Sequence, residues 1–423
     1  MQDPIGYSLQ RMQERGFDKA QVLRDDHEKA ELQIEFNQPS LLRSAKNTAL
    51  MLTGVTQDKE GTLSVNRQTA QAIDEAVDAL WESALASLPD PANDIAKAQP
   101  AQSFTSGERE PDLATMYDRL DEFLVHCGQH YPSVTLGSFN ISHVRSVRTI
   151  ANSNGVSLKS ERGYYSVMSM FTAKEGTDVS SFNFTAVSLA NLNRPIARTA
   201  TVERLLKSAV EQIRTRKIPH KFTGALIITP DCLGAFIAFL LDSISGPPLI
   251  AKTSKYRDKL GTQVAYPGLS IRTEPLDRPG GFHLTDDGYP ATNDTIVEKG
   301  VLKTFLLNHY ASRKLAMPRV STGAVYVVDS GDVSFAQMVS GVDEGVIIGR
   351  FSGGQPNANG DFSGVAKNSY YVKDGEIQYP IAETMVSGNM VDLLLNINAI
   401  SRERADFGTQ SYPWIRTRGV VVS

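Results

Sequence analysis

The period of the apolar positions changes several times along this chain, and each change predicts an element. Between 68 and 87, Ile73, Val77, Leu80 and Ala84 recur at three- and four-residue spacing, which puts them on one face of a helix that ends at Pro89-Asp90-Pro91. Leu113, Met116, Leu120, Phe123 and Leu124 predict a second helix, opening at Pro111, where a missing N–H costs nothing. Val202, Leu205, Ala209 and Ile213 predict a third, within 196–216. Short β-type runs fall at 20–22, 30–36, 50–53 and 61–65, with Asn37-Gln38-Pro39-Ser40 read as a turn. Two longer strands flank Asn152-Ser153-Asn154-Gly155, a hairpin signal because Asn and Gly tolerate positive φ, and another strand lies near 182–189.

From 221 onward the texture differs. A buried-type strand at 225–229 precedes an apolar helix at 232–243. Short β runs then follow at 264–265, 295–297, 325–328, 346–348, 370–372 and 377–379, separated by Gly, Pro, Asn and Asp turns, before a last helix at 390–400. The fold class this predicts is α+β: an N-terminal α/β region followed by a β-rich, twisted sandwich or barrel-like C-terminal domain. The divisions read as 1–88 (an N-terminal α/β segment), 89–110 (a polar, structureless linker with Pro89, Pro91 and Pro100), 111–217 (a middle α/β segment) and 218–423 (the β-rich domain).

Composition narrows the function classes. With 423 residues the chain can bury a large core without disulfides or metal staples. Its net charge of −4 provides no field to draw it onto a phosphate backbone, so nucleic acid is not expected as a partner. The longest apolar stretch, 233–241, is far short of the ~20 residues that span a bilayer, so no membrane association is expected. Met1-Gln2-Asp3-Pro4-Ile5-Gly6 has neither a basic n-region nor an apolar run, and the two cysteines, Cys127 and Cys232, make no secreted disulfide framework. The expectation is a soluble, cytoplasmic protein.

Candidate chemistry is sparse. His126-Cys127-Gly128-Gln129-His130 puts two histidines at i, i+4 with a cysteine as a third soft donor, which makes these three the candidate metal ligands. Against this, a zincin needs Glu where Cys127 stands, and the pair sits at a helix C-terminus, where the dipole alone favours His. Asn357, Asn359 and Asp361 echo the odd-position ligands of a calcium loop, but Gly360 is one place early and no Glu closes the loop, so a turn is the simpler reading. Asp286-Asp287 also reads as a turn, because adjacent carboxylates do not face one substrate unless the turn folds them so. His27, His143, His220, His283 and His309 are scattered singly, and no nucleophile elbow, Walker loop or dinucleotide fingerprint is present. No catalytic residue is assigned, and the binding residues are left open.

The C-terminal third carries a resemblance. Ser352-Gly353-Gly354-Gln355-Pro356-Asn357-Ala358-Asn359-Gly360-Asp361-Phe362-Ser363 resembles a segment of the TldD/PmbA family. Tyr370 to Ile377, Tyr379-Pro380-Ile381 and Ser387-Gly388-Asn389-Met390 continue it. Upstream, Thr285 to Thr292, Glu298 to Leu302 and Asn152 to Val156 also look like family motifs, in the family's order and spacing. The TldD type of this family carries His-Glu-x-x-x-His on the helix after an apolar strand, plus a late Cys, and these bind the catalytic metal. Here the corresponding helix reads Gly234-Ala235-Phe236-Ile237-Ala238-Phe239-Leu240-Leu241-Asp242, and Ala405 to Gln410 holds no Cys. The chain therefore resembles the PmbA (TldE) type, which lacks the metal motif.

The resemblance implies a non-catalytic, metal-less subunit of a metallopeptidase complex that degrades or processes short unfolded peptides. It implies no cofactor in this chain, zinc on a TldD-type partner that activates water there, and self-association as a homodimer when isolated. The family also carries the label of a DNA gyrase modulator, to which the net charge adds nothing. The alternatives are a free-standing enzyme with a metal site at His126, Cys127 and His130, or a regulatory binding protein.

Overall fold

The computed structural model describes residues 3–423. Met1 and Gln2, part of the N-terminal stretch read above as lacking a signal sequence, lie outside the described residues. The chain opens with a helix that the sequence reading did not include, α1 (Pro4–Arg15). Its signals are present: Asp3 caps the Gly6 N–H, Pro4 stands at N1, and Gly16 ends the helix at φ 110°.

Next comes a pair of long strands, β1 (Lys19–Glu35) and β2 (Gln38–Thr56), with β3 (Lys59–Val65) beside the second. The predicted short strands are pieces of these. They looked separate because the middle of β1, Arg24-Asp25-Asp26-His27-Glu28-Lys29, is polar on both faces. There the ladder is flanked by ion pairs, such as Lys46 with Glu28 and Arg145 with both Glu28 and Glu161. The turn is Phe36-Asn37, both at positive φ, rather than 37–40.

Helix α2 (Ala70–Ala86) packs on β3, with Ile73, Val77 and Leu80 buried against Met12, Val22 and Leu52. The stretch read as structureless carries β4 (Gln102–Ser106), parallel to a later strand, and buries Ile95 and Ala96. Tertiary pairing overrides its polar, proline-rich composition. Helix α3 (Leu113–His130) starts after the Asp112 cap, two residues past Pro111. The strands β5 (Val134–Asn152) and β6 (Ser157–Glu175) form the expected hairpin around Asn152, followed by β7 (Asp178–Val179) and β8 (Asn183–Leu189). These eight strands make one curled sheet in the order β3-β2-β1-β5-β6-β4, with β7 and β8 also on β6. It joins the first and middle segments. One face is packed under α3 and α4 (Val202–Glu211) through Leu120, Phe123, Phe139, Val167 and Leu206. The helix expected over 196–216 is broken, because Thr199 bonds back to Ile196 and Ala200 sits at φ 45°.

The second half forms a 13-stranded sheet. Its centre is β9 (Phe222–Ile228), followed by α5 (Pro230–Ser243) and α6 (Gly246–Ile250). One wing holds β10 (Ile271–Thr273), β11 (Asp294–Glu298), β12 (Val301–Leu302), α7 (His309–Leu315) and β13 (Tyr326–Val328). The other holds α8 (Phe335–Ser340), β14 (Glu344–Ile348), β15 (Arg350–Ser352), β16 (Asp361–Lys367), β17 (Ser369–Lys373), β18 (Glu376–Ile381) and β19 (Thr384–Asn389). Then come α9 (Met390–Leu395), β20 (Ala399–Asp406) and β21 (Ser411–Val422). Val264–Ala265 is buried but is no strand. The last helix stops at Leu395, because Asn398 and Ala399 pair with Arg416 of β21. The fold is α+β, as the patterning predicts. No helix among the described residues is long and apolar enough to cross a membrane.

Candidate functional site

The central question is what the helix after β9 presents. β9 lies between the parallel β14 and the antiparallel β21, so its Leu226 and Ile228 are buried. Thr229 stands at the N-cap position of α5 without a side-chain capping bond, and Pro230 occupies N1. Cys232, Leu233, Phe236, Ile237, Leu240 and Leu241 are all buried. Phe236 meets Phe351 and Phe362 at centroid distances of 5.4 and 6.0 Å, and Tyr412, 1% exposed, lies beside Gly234. The acid in the first turn, Asp231, is committed to Arg204 and Thr201. Side chains of Ala, Phe and Leu have no lone pair to give, so a metal does not fit on this helix. Among the described residues no group of three or more His, Cys, Asp and Glu is arranged to hold one.

The three candidate ligands of α3 diverge. Cys127 points into the core between α3 and the first sheet, 5% exposed. Burial, reinforced by the charge of Glu203, pushes its thiol up to about 12, so it stays protonated near neutral pH. His126 and His130 lie towards the helix surface, with ring centroids 4.8 Å apart. His126 Nε2 is 2.8 Å from Glu203 Oε2, and the Tyr131 hydroxyl donates to Glu203 Oε1 at 2.8 Å. This is a hydrogen-bonded patch tying α3 to α4, on the wall of a 410 Å³ cleft. The Cys127 thiol is turned into the core while His126 is held by Glu203, so the three side chains do not converge on one point.

The turn motifs are structural. Asn357 Oδ1 accepts from the N–H groups of Asn359 and Asp361 at 2.8 and 3.1 Å. Asn389 Nδ2 donates to Asp361 Oδ1 at 2.8 Å and to Asn359 O at 2.9 Å, while its own Oδ1 caps α9. The Asn389 and Asn357 amides hold the Asp361 carboxyl below its usual range. Asp286 and Asp287 also part company. Asp286 is exposed and pairs with Arg148 of the first sheet at 2.5 Å, whereas Asp287 accepts the His309 N–H at 2.7 Å at the start of α7.

The single histidines are each placed by their surroundings. His143 Nε2 bonds to Glu108 O at 2.8 Å, and His220 lies 3.3 Å from Glu344. His27 is exposed. His309 Nδ1 lies 3.1 Å from the Tyr289 hydroxyl, and burial lowers its pKa against the pull of Asp94. His283 stacks on Phe104 and bonds Ser160 at 3.0 Å; burial, with the nearby Arg162 charge, lowers it to about 4.

Two larger clefts lie where the sheets meet. One, of about 560 Å³, is lined by Arg148, Gly280–Phe282, Leu284–Asp287 and Thr322–Val325. The other, of about 600 Å³, lies between the 188–200 segment and the β20–β21 turn. Neither was legible in the sequence, because both are assembled from segments more than a hundred residues apart.

Fold and site together define a two-sheet α+β scaffold whose central helix is apolar. The family models for the PmbA/TldA metallopeptidase central and C-terminal domains match residues 108–213 and 223–423. The chain is 25% identical over 394 residues to the metalloprotease PmbA of Escherichia coli O157:H7, covering 88% of this chain and 82% of that one. It is 25% identical over 223 residues to a zinc metalloprotease TldD homologue of Saccharolobus solfataricus, 49% of each chain. The crystal structure of TldE from Thermococcus kodakarensis superposes with a TM-score of 0.83 at 18% identity, covering 100% of both chains. The chain belongs to the PmbA/TldD metallopeptidase family.

Proposed function

We propose that this chain is the metal-less subunit of a two-component metallopeptidase, paired with a TldD-type subunit that carries the zinc and acts on short unstructured peptides. The observation that supports the reading is α5. Where the TldD type is marked by His and Glu, this helix has only apolar side chains over 235–241, with Phe236, Ile237, Leu240 and Leu241 packed into the core. The names of the E. coli and S. solfataricus relatives and of the T. kodakarensis structure, PmbA, TldD and TldE, are consistent with this pairing.

On this reading the chain supplies a wall and a strand edge. β2 pairs with β1 throughout, but β3 covers only Leu50–Thr56 of it, so 38–49 is an open sheet edge with free backbone donors and acceptors. An extended peptide can add to such an edge through its main chain, which suits a substrate range set by lack of structure rather than by sequence.

Reconstitution tests the reading. This chain alone should not cleave an unstructured peptide. Adding a TldD-type subunit should give activity that a chelator abolishes. Cleavage by this chain alone, or a TldD-type subunit that neither binds it nor gains activity from it, would overturn the subunit role and favour the free-standing enzyme.

A further inference from the structure

The 600 Å³ cleft between the two sheets is unusual in its charge. Arg194 and Arg198, on the loop after β8, and Arg404, on β20, all line it. Among the described residues, neither Arg194 nor Arg198 has a carboxylate within 4.0 Å, and their side chains donate no hydrogen bond; Arg404 donates only to Ser411 Oγ. The single acid in the lining, Asp406, is already committed, since its Oδ1 accepts from Arg278 and from the Gly408 N–H. Asn191 Oδ1 accepts from the Asn193 N–H at 3.2 Å, which leaves its amide N–H groups for a ligand.

The floor is stiff. The Ser188 N–H donates to Phe407 O at 2.9 Å, Val187 packs on Ala405 and Phe407, and a Cβ on Gly408 would lie 2.0 Å from Ser188 O. Two unpaired guanidinium forks, a third guanidinium with Nη1 left over, spare amide donors and a lone acid already paired with Arg278 make a site for an oxyanion, because a guanidinium fork matches a two-oxygen anion bidentately.

We propose that Arg194, Arg198 and Arg404 form an oxyanion subsite that takes a peptide carboxylate, at the C-terminus or on an acidic side chain. The identity of the ligand rests on the peptide reading above, whereas the preference for an oxyanion rests on the cleft itself.

The test uses the full chain and two labelled unstructured peptides alike except at the C-terminal end, one with a free carboxylate and Asp/Glu as its last residues, the other amidated with Asn/Gln in their place. Fluorescence anisotropy should show the free acid binding about tenfold or more tightly, a preference that the Arg194→Gln/Arg198→Gln double variant removes while leaving the amide unchanged. Inorganic phosphate should displace the free acid from the native chain. Both arginines are exposed and unpaired, so the double variant keeps the native unfolding midpoint, and Arg404→Gln alone gives a partial loss.

If the two peptides bind alike, or the variant keeps the preference, the subsite is wrong. Phosphate binding that the variant loses, without any preference for the free acid, would overturn the peptide carboxylate as the ligand. Activity of the complex reconstituted with the native chain on the amidated peptide is a separate reading: it is present if only the subsite fails, and absent if the subunit role fails.

Discussion

Asn389 reaches 28 residues back along the chain to hold Asp361, its Nδ2 2.8 Å from the carboxylate Oδ1, while its own oxygen caps α9. Two segments that read as separate family motifs are thus one hydrogen-bonded corner, in which the side chains close a turn and start a helix instead of binding an ion.

Asn389→Ala removes the cap of α9 together with the tie to Asp361. The expected loss is about 1–2 kcal/mol in stability, the scale of an N-cap with a shared hydrogen bond. Urea denaturation checks it, and Asn389→Asp should keep the cap while placing a second carboxylate against Asp361. A native midpoint for Asn389→Ala would show that the corner contributes nothing.

Phe236→Ala tests whether the apolar helix has become core. Phe236 is 2% exposed between Phe351 and Phe362, so the expected cost is about 3–5 kcal/mol. A loss under about 1 kcal/mol would mean that the site collapses freely or was never well packed.

The buried His283 predicts a dependence on pH. Its folded pKa, about 4, lies below the ordinary value of 6.5, so the unfolded chain binds the extra proton. Its stabilising contribution is complete above about pH 6.5 and falls as pH drops towards 4, by about 2 kcal/mol at pH 5. Burial lowers His309 as well and adds in the same sense. Denaturation at pH 7 and pH 5 should show a smaller drop for His283→Gln than for the native chain. An equal drop would place the titration elsewhere.

Zinc content and the α3 histidines form a paired prediction. The dialysed chain should hold far less than one zinc, and about one zinc per chain would revive the site expected at His126, Cys127 and His130. His126→Ala with His130→Ala should cost at most about 1 kcal/mol, the scale of a partly exposed hydrogen bond and a helix-dipole contact. Turnover of the reconstituted complex should not change, whereas a loss of ~100-fold with folding intact would mark these residues as catalytic.

What the sequence by itself determined is what depends on near neighbours. The stripe Ile73, Val77, Leu80 and Ala84 makes α2, and the stripe Met116, Leu120 and Phe123 makes α3, because a 3.6-residue period and an apolar face need nothing else to be read. The Asn152–Gly155 turn and the absence of donors along 234–241 are equally local, and the latter is what directs the functional reading. α1 was also readable, from Asp3, Pro4 and Gly16 around a short stripe.

Only the tertiary structure decided the rest. Whether Arg24 to Lys29 interrupts a strand or lies within one depends on partners more than a hundred residues away, such as Arg145 and Glu161. Whether 102–106 is linker or strand depends on β6, and whether 396–400 stays helical depends on Arg416. The arginine cleft belongs to this class too. Arg194, Arg198 and Arg404 meet only because the edge strand of one sheet is sewn to a turn of the other at Ser188 and Phe407, and long-range pairing of this kind leaves no periodic mark on the chain.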